Sequence, residues 1–477
     1  MEYQGYLQQE SKQRKTVHIL VFFSTFFFYF YMGMLAHEKG FWGAEEVYLG
    51  EKALLAVRGE PARFENIGLT YPPFPFMLRF LPASLGLHPY AGVFFSSISG
   101  ALTILVLISS LKRSRISTLI ITPVIIVNPL FIYTFSSGGS AGLFLLLLSL
   151  FTFYFKRFIE SKGEDSFAFF ISSLILGFSF LIRYEAVFFL IPLIFTLIKD
   201  KNRWRVVSKL LIFTFPSLFL STGWTYINWL YKGDPFHFIH TFGLISFETT
   251  LKEQKSLFYS LALAIILFPS YLVSLYHVAR QQNLLILFLS PLAVALTSTL
   301  LLDNMVSTSY FCLLGSVSLI FESNLGSNAS RYLLVLAMIA GALIGYTLSD
   351  RTTWGEERDF IKTLIGTQKE ERFKEEKELA NYLKSLQGKI FFDDTYDYAV
   401  VFFHGDPKSF VLPYQMEFGF YLKAPFFIAR YVVVPHPKYR NMINENNPLI
   451  FPEKDPNWEL VEKIGKWKIF AARYRKD

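Results

Sequence analysis

Cysteine is almost missing from this chain of 477 residues: Cys312 stands alone and lies in an apolar block. No disulfide can form within the chain, and no cysteine-based metal site can be built. Neither a Walker phosphate loop nor a glycine-rich dinucleotide fingerprint is present, so a soluble nucleotide sugar is not implied as a direct donor. Internal repeats and low-complexity linkers are lacking too. Charge is scarce over long stretches, and this absence says most about the class of protein.

In place of charge there are apolar blocks. Hydrophobic residues make up 52% of the chain, aromatic residues 18%, and Phe alone occurs 53 times. The blocks run to about 20 residues, enough for a helix to cross a hydrocarbon core of about 30 Å. They predict about eleven spans, near 17–36, 90–111, 116–134, 140–157, 166–182, 184–198, 207–230, 256–279, 284–302, 305–322 and 331–349. The first is read as a span rather than a cleaved signal, because its apolar run is long and no small-x-small site comes after it. Within 166–198, two short spans turning at "IRYE" fit better than one helix, since Arg183 and Glu185 would be costly against lipid and Pro192 would break the second half.

The net charge of +8 reads as orientation rather than as a nucleic-acid surface. Basic residues cluster in short segments: Lys12, Arg14 and Lys15; Lys112, Arg113 and Arg115; Lys156, Arg157 and Lys162; then Lys199, Lys201, Arg203, Arg205 and Lys209. These segments are expected on the cytoplasmic side of the plasma (inner) membrane, with the N-terminus. The long loop 37–89 and the C-terminus are then extracytoplasmic. The sequon Asn328-Ala-Ser330 falls in a cytoplasmic loop and should be silent. Asp303 and Asn304 fall in a short external turn.

Past residue 350 the composition changes. A charged stretch with Phe360, Leu364, Phe373, Leu379 and Leu383 at helical spacing leads into short β-like runs, "KIFFDD", "SFVLP", "YVVVP" and "WKIFAARY". The expected division is a transmembrane domain over 1–350 and a small extracytoplasmic α/β domain over 351–477, with Asp393 and Asp394 closing a strand.

Three stretches carry candidate chemistry. In the external loop, "AEEVYLGEKALLAVRG" reads as an amphipathic helix with Glu45, Glu46, Tyr48, Glu51 and Lys52, ending at Gly59. "TYPPFPFML", with Tyr71, then re-enters the membrane in an extended form set by its prolines. A carboxylate at the membrane surface can take the proton of an attacking hydroxyl, although acids at a helix start also simply complement the macrodipole. The second stretch is "LIRYEAVFFLIPLIFTL", where Arg183 can hold a phosphate or, with Glu185, only balance charge at a boundary. The third is "NWLYKGDPFHFIHTFG", with Lys232, Asp234 before Pro235, and His237 and His240 three apart without a clear third metal ligand.

These stretches resemble the GT-C glycosyltransferases, polytopic enzymes that use polyprenyl-phosphate sugars, in particular the protein mannosyltransferase and aminoarabinose transferase branches. The family's Asp-Glu-x-Tyr is here "EEVY", with Glu in the Asp position; "LIRYE" is similar to its Leu-x-Arg-x-Glu turn, and "GDPF" to its loop after the seventh span. The resemblance implies Glu45 as general base with Glu46 in support. It implies Arg183, Lys232 and His237 as contacts to the donor phosphate, with Tyr48, Tyr71, Glu185 and Asp234 nearby. A divalent metal is not supported, because "YTFSSGGSAGLF" lacks the acid many members carry there; "SSGGS" offers either backbone N–H groups to a phosphate or a tight turn. Tyr310 comes after Ser309, not the family's usual Arg. The implied activity is transfer of a sugar from a lipid phosphate to a hydroxyl of a lipid, glycan or protein. A transporter or lipid flippase is the rival class, but should show repeats and charges near the bilayer midplane.

Overall fold

The computed structural model describes residues 2–111, 115–190, 194, 203–242, 265–281, 284–293, 309–325, 327–349, 355–367 and 371–473. The chain is mostly helical and forms two compact units, one from residues 1–41 and 93–368, the other from 42–92 and 369–477.

The first unit is the membrane-spanning one. Among the described residues, five helical segments are long and apolar enough to cross a bilayer: Lys15–Glu38, His88–Ser110, Ala141–Glu160, Arg203–Lys232 and Asn328–Thr347. Shorter apolar helices include Ser166–Phe180, Leu284–Ala293 and Phe311–Ile320. The expected spans 184–198, 256–279, 284–302 and 305–322 run partly outside the described residues, as do Pro192, Asp303 and Asn304 in full.

The stretch expected as one span over 116–134 is two helices, Arg115–Ile126 and Pro129–Ser136. Asn128 caps the second, its Oδ1 accepting from the Leu130 N–H at 3.0 Å. Pro129 has no N–H to continue the preceding helix and sits where a helix start tolerates it. The sequon Asn328-Ala-Ser330 opens the helix Asn328–Ser349.

Lipid tails are as apolar as the helices, so helix association relies on close packing rather than on hydrophobic transfer. The Phe content supplies it. Phe158 and Phe169 stack at 4.3 Å and Phe169 and Phe213 at 5.8 Å, while Phe155 meets Phe213 at a tilt at 5.4 Å, joining Ala141–Glu160, Ser166–Phe180 and Arg203–Lys232. Such pairs contribute about 0.5–1.5 kcal/mol each beyond the area they bury. Close approach also needs the absence of a side chain: a Cβ on Gly100 would stand 2.6 Å from the Phe135 ring and 2.8 Å from Tyr29.

The second unit carries a five-stranded sheet in the order β2-β1-β3-β5-β4, with β1 Ile390–Phe391, β2 Phe410–Val411, β3 Tyr431–Pro435, β4 Trp458–Ile464 and β5 Trp467–Ala472. β1 pairs in parallel with β2 and β3, and β5 lies antiparallel between β3 and β4. Four of these strands coincide with the apolar runs read from sequence. β4, "WELVEKI", is too charged to stand out, and its place at the sheet edge explains the charge: Glu459, Glu462 and Lys463 discourage pairing with another chain. Leu379, Leu383, Ile390, Val400, Val433 and Ile469 fill the core on one face.

The helix Ala44–Arg58 belongs to this unit. Leu55 enters the same core, and Gly50 lets the helix reach Tyr398–His404, since a Cβ there would lie 2.5 Å from the Phe402 ring. "YPPFPFML" differs from expectation: its prolines open a separate helix, Phe74–Ser84, because a proline in the first turn is pre-organised for helical φ and has no orphan N–H.

Beneath Ala44–Arg58 lies a buried charge cluster. Lys52 Nζ is 2.8 Å from Asp394 Oδ2 and 3.1 Å from Glu51 Oε2. Burial opposes the Lys52 charge, but Asp394 and Glu51 outweigh it and hold the ammonium charged. Burial likewise disfavours ionised Asp394, yet Lys52 brings its pKa below the usual range. Glu51, fully buried and hydrogen-bonded to Asp394, is pushed well above it, first by burial. Of the two carboxyls, Glu51 is therefore the one whose protonated form burial favours.

Removing the cation strands a buried charge. Lys52→Met is expected to lower the unfolding free energy by about 3–5 kcal/mol, read by thermal or denaturant unfolding of the purified protein. Because the Glu51 pKa is raised on folding, its contribution is full below the ordinary carboxylate range and is lost as pH rises through the folded value. Glu51→Gln should therefore unfold like the parent in acid and lose less stability as the pH is raised. A wild type and variant with parallel pH profiles would contradict this protonation state.

Candidate active site

The acidic pair opens the helix Ala44–Arg58, which has Glu45 and Glu46 in its first turn. Both complement the macrodipole there, but consecutive helical residues point about 100° apart and meet different surroundings. Glu46 is buried, at 2% exposure, whereas Glu45 is only half-buried.

Glu45 Oε1 accepts a short hydrogen bond from the Tyr71 hydroxyl. The Tyr71 ring packs edge-on against Phe76 at 6.1 Å, which limits where the hydroxyl can point. Arg79 Nη1 donates to the backbone carbonyl of Glu46 at 2.8 Å. This arginine is buried, and burial lowers its pKa while Glu46, Glu45 and Tyr71 act in the other direction. The result is a half-buried carboxylate held by a phenol, with a second carboxylate and a guanidinium behind it. Such an arrangement can orient a base.

Tyr48, expected beside the acids, turns into the interior. Its ring packs edge-on against Tyr398 at 5.4 Å and Phe76 at 6.3 Å, and Lys52 Nζ lies 5.7 Å from its centre. Asp393 and Asp394 divide their roles. Asp393 accepts from Thr395 and from the Met442 N–H at 2.7 Å, shaping the strand end, while Asp394 pairs with Lys52.

In the membrane unit, Arg183 sits at the turn after Ser166–Phe180 in extended conformation, ahead of a short 3-10 segment, Tyr184–Phe189. Its Nε donates to Ser140 Oγ at 3.0 Å, and its Nη1 is 3.9 Å from Glu185 Oε1. Ser140 ends "SSGGS" and precedes the helix Ala141–Glu160, so the guanidinium lies against that helix's positive end. Gly138 turns the chain there with φ +77°. Arginine and the glycine-rich turn, separate motifs in the sequence, are thus one place in the fold.

Lys232 is exposed in the last turn of Arg203–Lys232, and Gly233, at φ +69°, reverses the chain. Asp234 shapes the adjoining loop: Oδ1 accepts from the Phe236 N–H at 2.9 Å, and Oδ2 lies 2.8 Å from His240 Nδ1. The Phe236 bond, then His240, lowers the Asp234 pKa. His237 begins the helix His237–Phe242 and is half-buried. Phe238 packs on Tyr184 at 4.9 Å, and Tyr184 Oη accepts from Trp224 Nε1 at 2.9 Å, so this loop is carried next to Arg183 by aromatic contacts. Tyr310 has no described side chain. Among the described residues, no group of three His, Cys, Asp or Glu side chains could hold a metal.

Sequence reasoning passed over Arg79 and the Tyr71–Glu45 bond. A signal for the first was present, since Arg79 is the lone charge in "PFPFMLRFLPAS" and a charge within an apolar helix calls for a partner. Arg79→Met leaves the Glu46 carbonyl without its donor and removes the cation beside two acids. A loss of about 3 kcal/mol in unfolding free energy is expected, with Arg79→Lys less affected, both measured by thermal unfolding.

A family model described as dolichyl-phosphate-mannose-protein mannosyltransferase matches residues 71–229. The structure is similar to crystal structures of ArnT from Cupriavidus metallidurans. The form bound to undecaprenyl phosphate matches with a TM-score of 0.60 and 12% identity, over 95% of this chain and 97% of that one. The apo form matches with a TM-score of 0.58 and 12% identity, over 97% and 98%. At that identity the likeness is one of fold. No curated protein matches the chain by sequence.

Proposed function

From the fold of the GT-C membrane glycosyltransferases, which this chain shares, we propose that it moves a sugar from a polyprenyl phosphate to an acceptor hydroxyl at the extracytoplasmic face of the plasma membrane. The observation that carries this reading is the half-buried Glu45, oriented by the Tyr71 hydroxyl with Glu46 and Arg79 behind it. In support, the matched structure with the higher TM-score holds undecaprenyl phosphate.

Glu45 takes the proton of the acceptor hydroxyl as its oxygen attacks the anomeric carbon. The bond from that carbon to the phosphate oxygen breaks, the lipid phosphate leaves with the electron pair, and the configuration inverts. A phosphate is a good leaving group, so a strong general acid is not required. The donor phosphate is assigned to Arg183, whose guanidinium offers forked donors beside the start of Ala141–Glu160. Lys232 and His237 are assigned as further contacts, and Asp234 holds their loop. Glu46 supports the base through its charge and its carbonyl bond to Arg79. The sugar, and the choice among lipid, glycan and protein acceptors, lie beyond these assignments.

The test is single-turnover transfer from a synthetic polyprenyl-phosphate sugar in detergent. Glu45→Gln should cut the chemical step by about 10²–10⁴-fold with unfolding unchanged. Tyr71→Phe should lower the same step less, about tenfold, by loosening the base. Arg183→Ala should act mainly on donor affinity. Full transfer by Glu45→Gln would remove this base assignment, and transport of the intact lipid without any transfer would favour the flippase class.

A further inference from the structure

The helix Tyr398–His404 of the second unit ends inside the protein, and two histidines meet its end. Carbonyls in the last turn of a helix have no intrahelical partner and must find one outside. His88 supplies it for Phe402: its Nε2 lies 3.0 Å from the Phe402 carbonyl oxygen, so that nitrogen carries the proton and donates. The His88 ring also packs edge-on against the Phe402 ring at 5.2 Å. Gly405, at φ +79°, closes the helix beside it; a Cβ there would stand 3.4 Å from His88 Cε1. His404 works in the opposite sense. Its Nδ1 accepts from the Asp406 N–H at 3.3 Å, which requires that nitrogen to be unprotonated.

Both rings are buried, at 8% exposure each. The other nitrogen of His88, Nδ1, is buried and has no hydrogen-bond partner among the described residues. The charged groups that face the rings are Arg58, Lys384 and Asp406. Arg58, at the end of Ala44–Arg58, and Lys384, at the end of Lys374–Lys384, are cations on the side of His88. Lys384 also faces His404. Burial, then Lys384, holds the His404 pKa below the ordinary histidine value, against the Asp406 carboxylate. That carboxylate shapes its own turn, accepting from the Lys408 N–H at 3.1 Å and the Ser409 hydroxyl at 3.0 Å.

A second proton therefore costs each ring a contact. On His88 it makes Nδ1–H a buried donor without an acceptor, and on His404 it sets Nδ1–H against the Asp406 N–H. We propose that His88 and His404 form an acid-sensitive latch: as neutral imidazoles they hold the end of Tyr398–His404, and their protonation releases it. The element that then loses its seat is Ala44–Arg58, because Phe402 is the ring against which Gly50 packs. The two histidines are thus positioning residues for the helix that carries the acidic pair. The latch lies wholly in the second unit, and its action does not depend on sugar transfer.

Because the folded rings are neutral, the unfolded chain takes up protons first. The latch contributes fully above about pH 6.5, the ordinary histidine value, and less as the pH falls below it. Hydrogen exchange of the full-length protein in detergent, read by mass spectrometry and corrected for the intrinsic pH dependence of exchange, tests this. From about pH 7.5 to about pH 5, opening of 398–405 should increase about tenfold or more, while Tyr431–Pro435 remains protected. His88→Gln keeps an amide donor for Phe402 and His404→Asn an acceptor for Asp406, and neither titrates. Together they should match the wild type at the higher pH and lose the acid-induced opening, whereas His88→Ala should open the segment at both. Unchanged wild-type protection in acid, wild-type protection in His88→Ala, or undiminished acid-induced opening in the double variant would each overturn the proposal.

Discussion

Lys52, enclosed between Asp394 and Glu51, is the contact on which the second unit depends. It ties a helix near the start of the chain to a strand end 342 residues later. A buried ion pair adds little over an apolar substitute of equal shape, but it penalises every arrangement that leaves one partner alone. Its consequence here is positional. With Lys52 held by Asp394, Leu55 in the sheet core and Gly50 against Phe402, the helix Ala44–Arg58 has one docking. The directions of Glu45 and Glu46 result from it.

Two adjacent acids thereby acquire unlike environments. Glu46 turns inward and lends its carbonyl to Arg79; Glu45 remains half-buried under the Tyr71 hydroxyl. The difference arises from helical geometry, since neighbouring side chains diverge and only one can face the core. It is the physical basis for proposing Glu45 as the base and Glu46 as its support.

The membrane unit meets a different constraint. Hydrophobic transfer cannot drive helices together in lipid, so specific shape has to. Stacked Phe158, Phe169 and Phe213, and glycines at close approaches, supply that shape. Polar groups are then held at helix ends, where backbone groups lack intrahelical partners. Arg183 against Ser140 is one such place.

Much of this was readable in the residues, and the reason is physical. Apolar run length is set by bilayer thickness, so the membrane-spanning class could be read directly. The acidic pair, "LIRYE" and "GDPF" stood out as candidates because charge at a membrane boundary is costly and conspicuous. The break at Asn128-Pro129 was legible from cap and proline chemistry, yet the surrounding hydrophobicity concealed it. β4 was hidden because an edge strand does not need an apolar pattern. The partners were beyond reach. A lone Arg79 or Lys52 states that it needs an opposite charge or a carbonyl, but not which one. Only the folded chain, by bringing residues tens to hundreds of positions apart within hydrogen-bond distance, chose Glu46 for Arg79, Asp394 for Lys52 and Ser140 for Arg183.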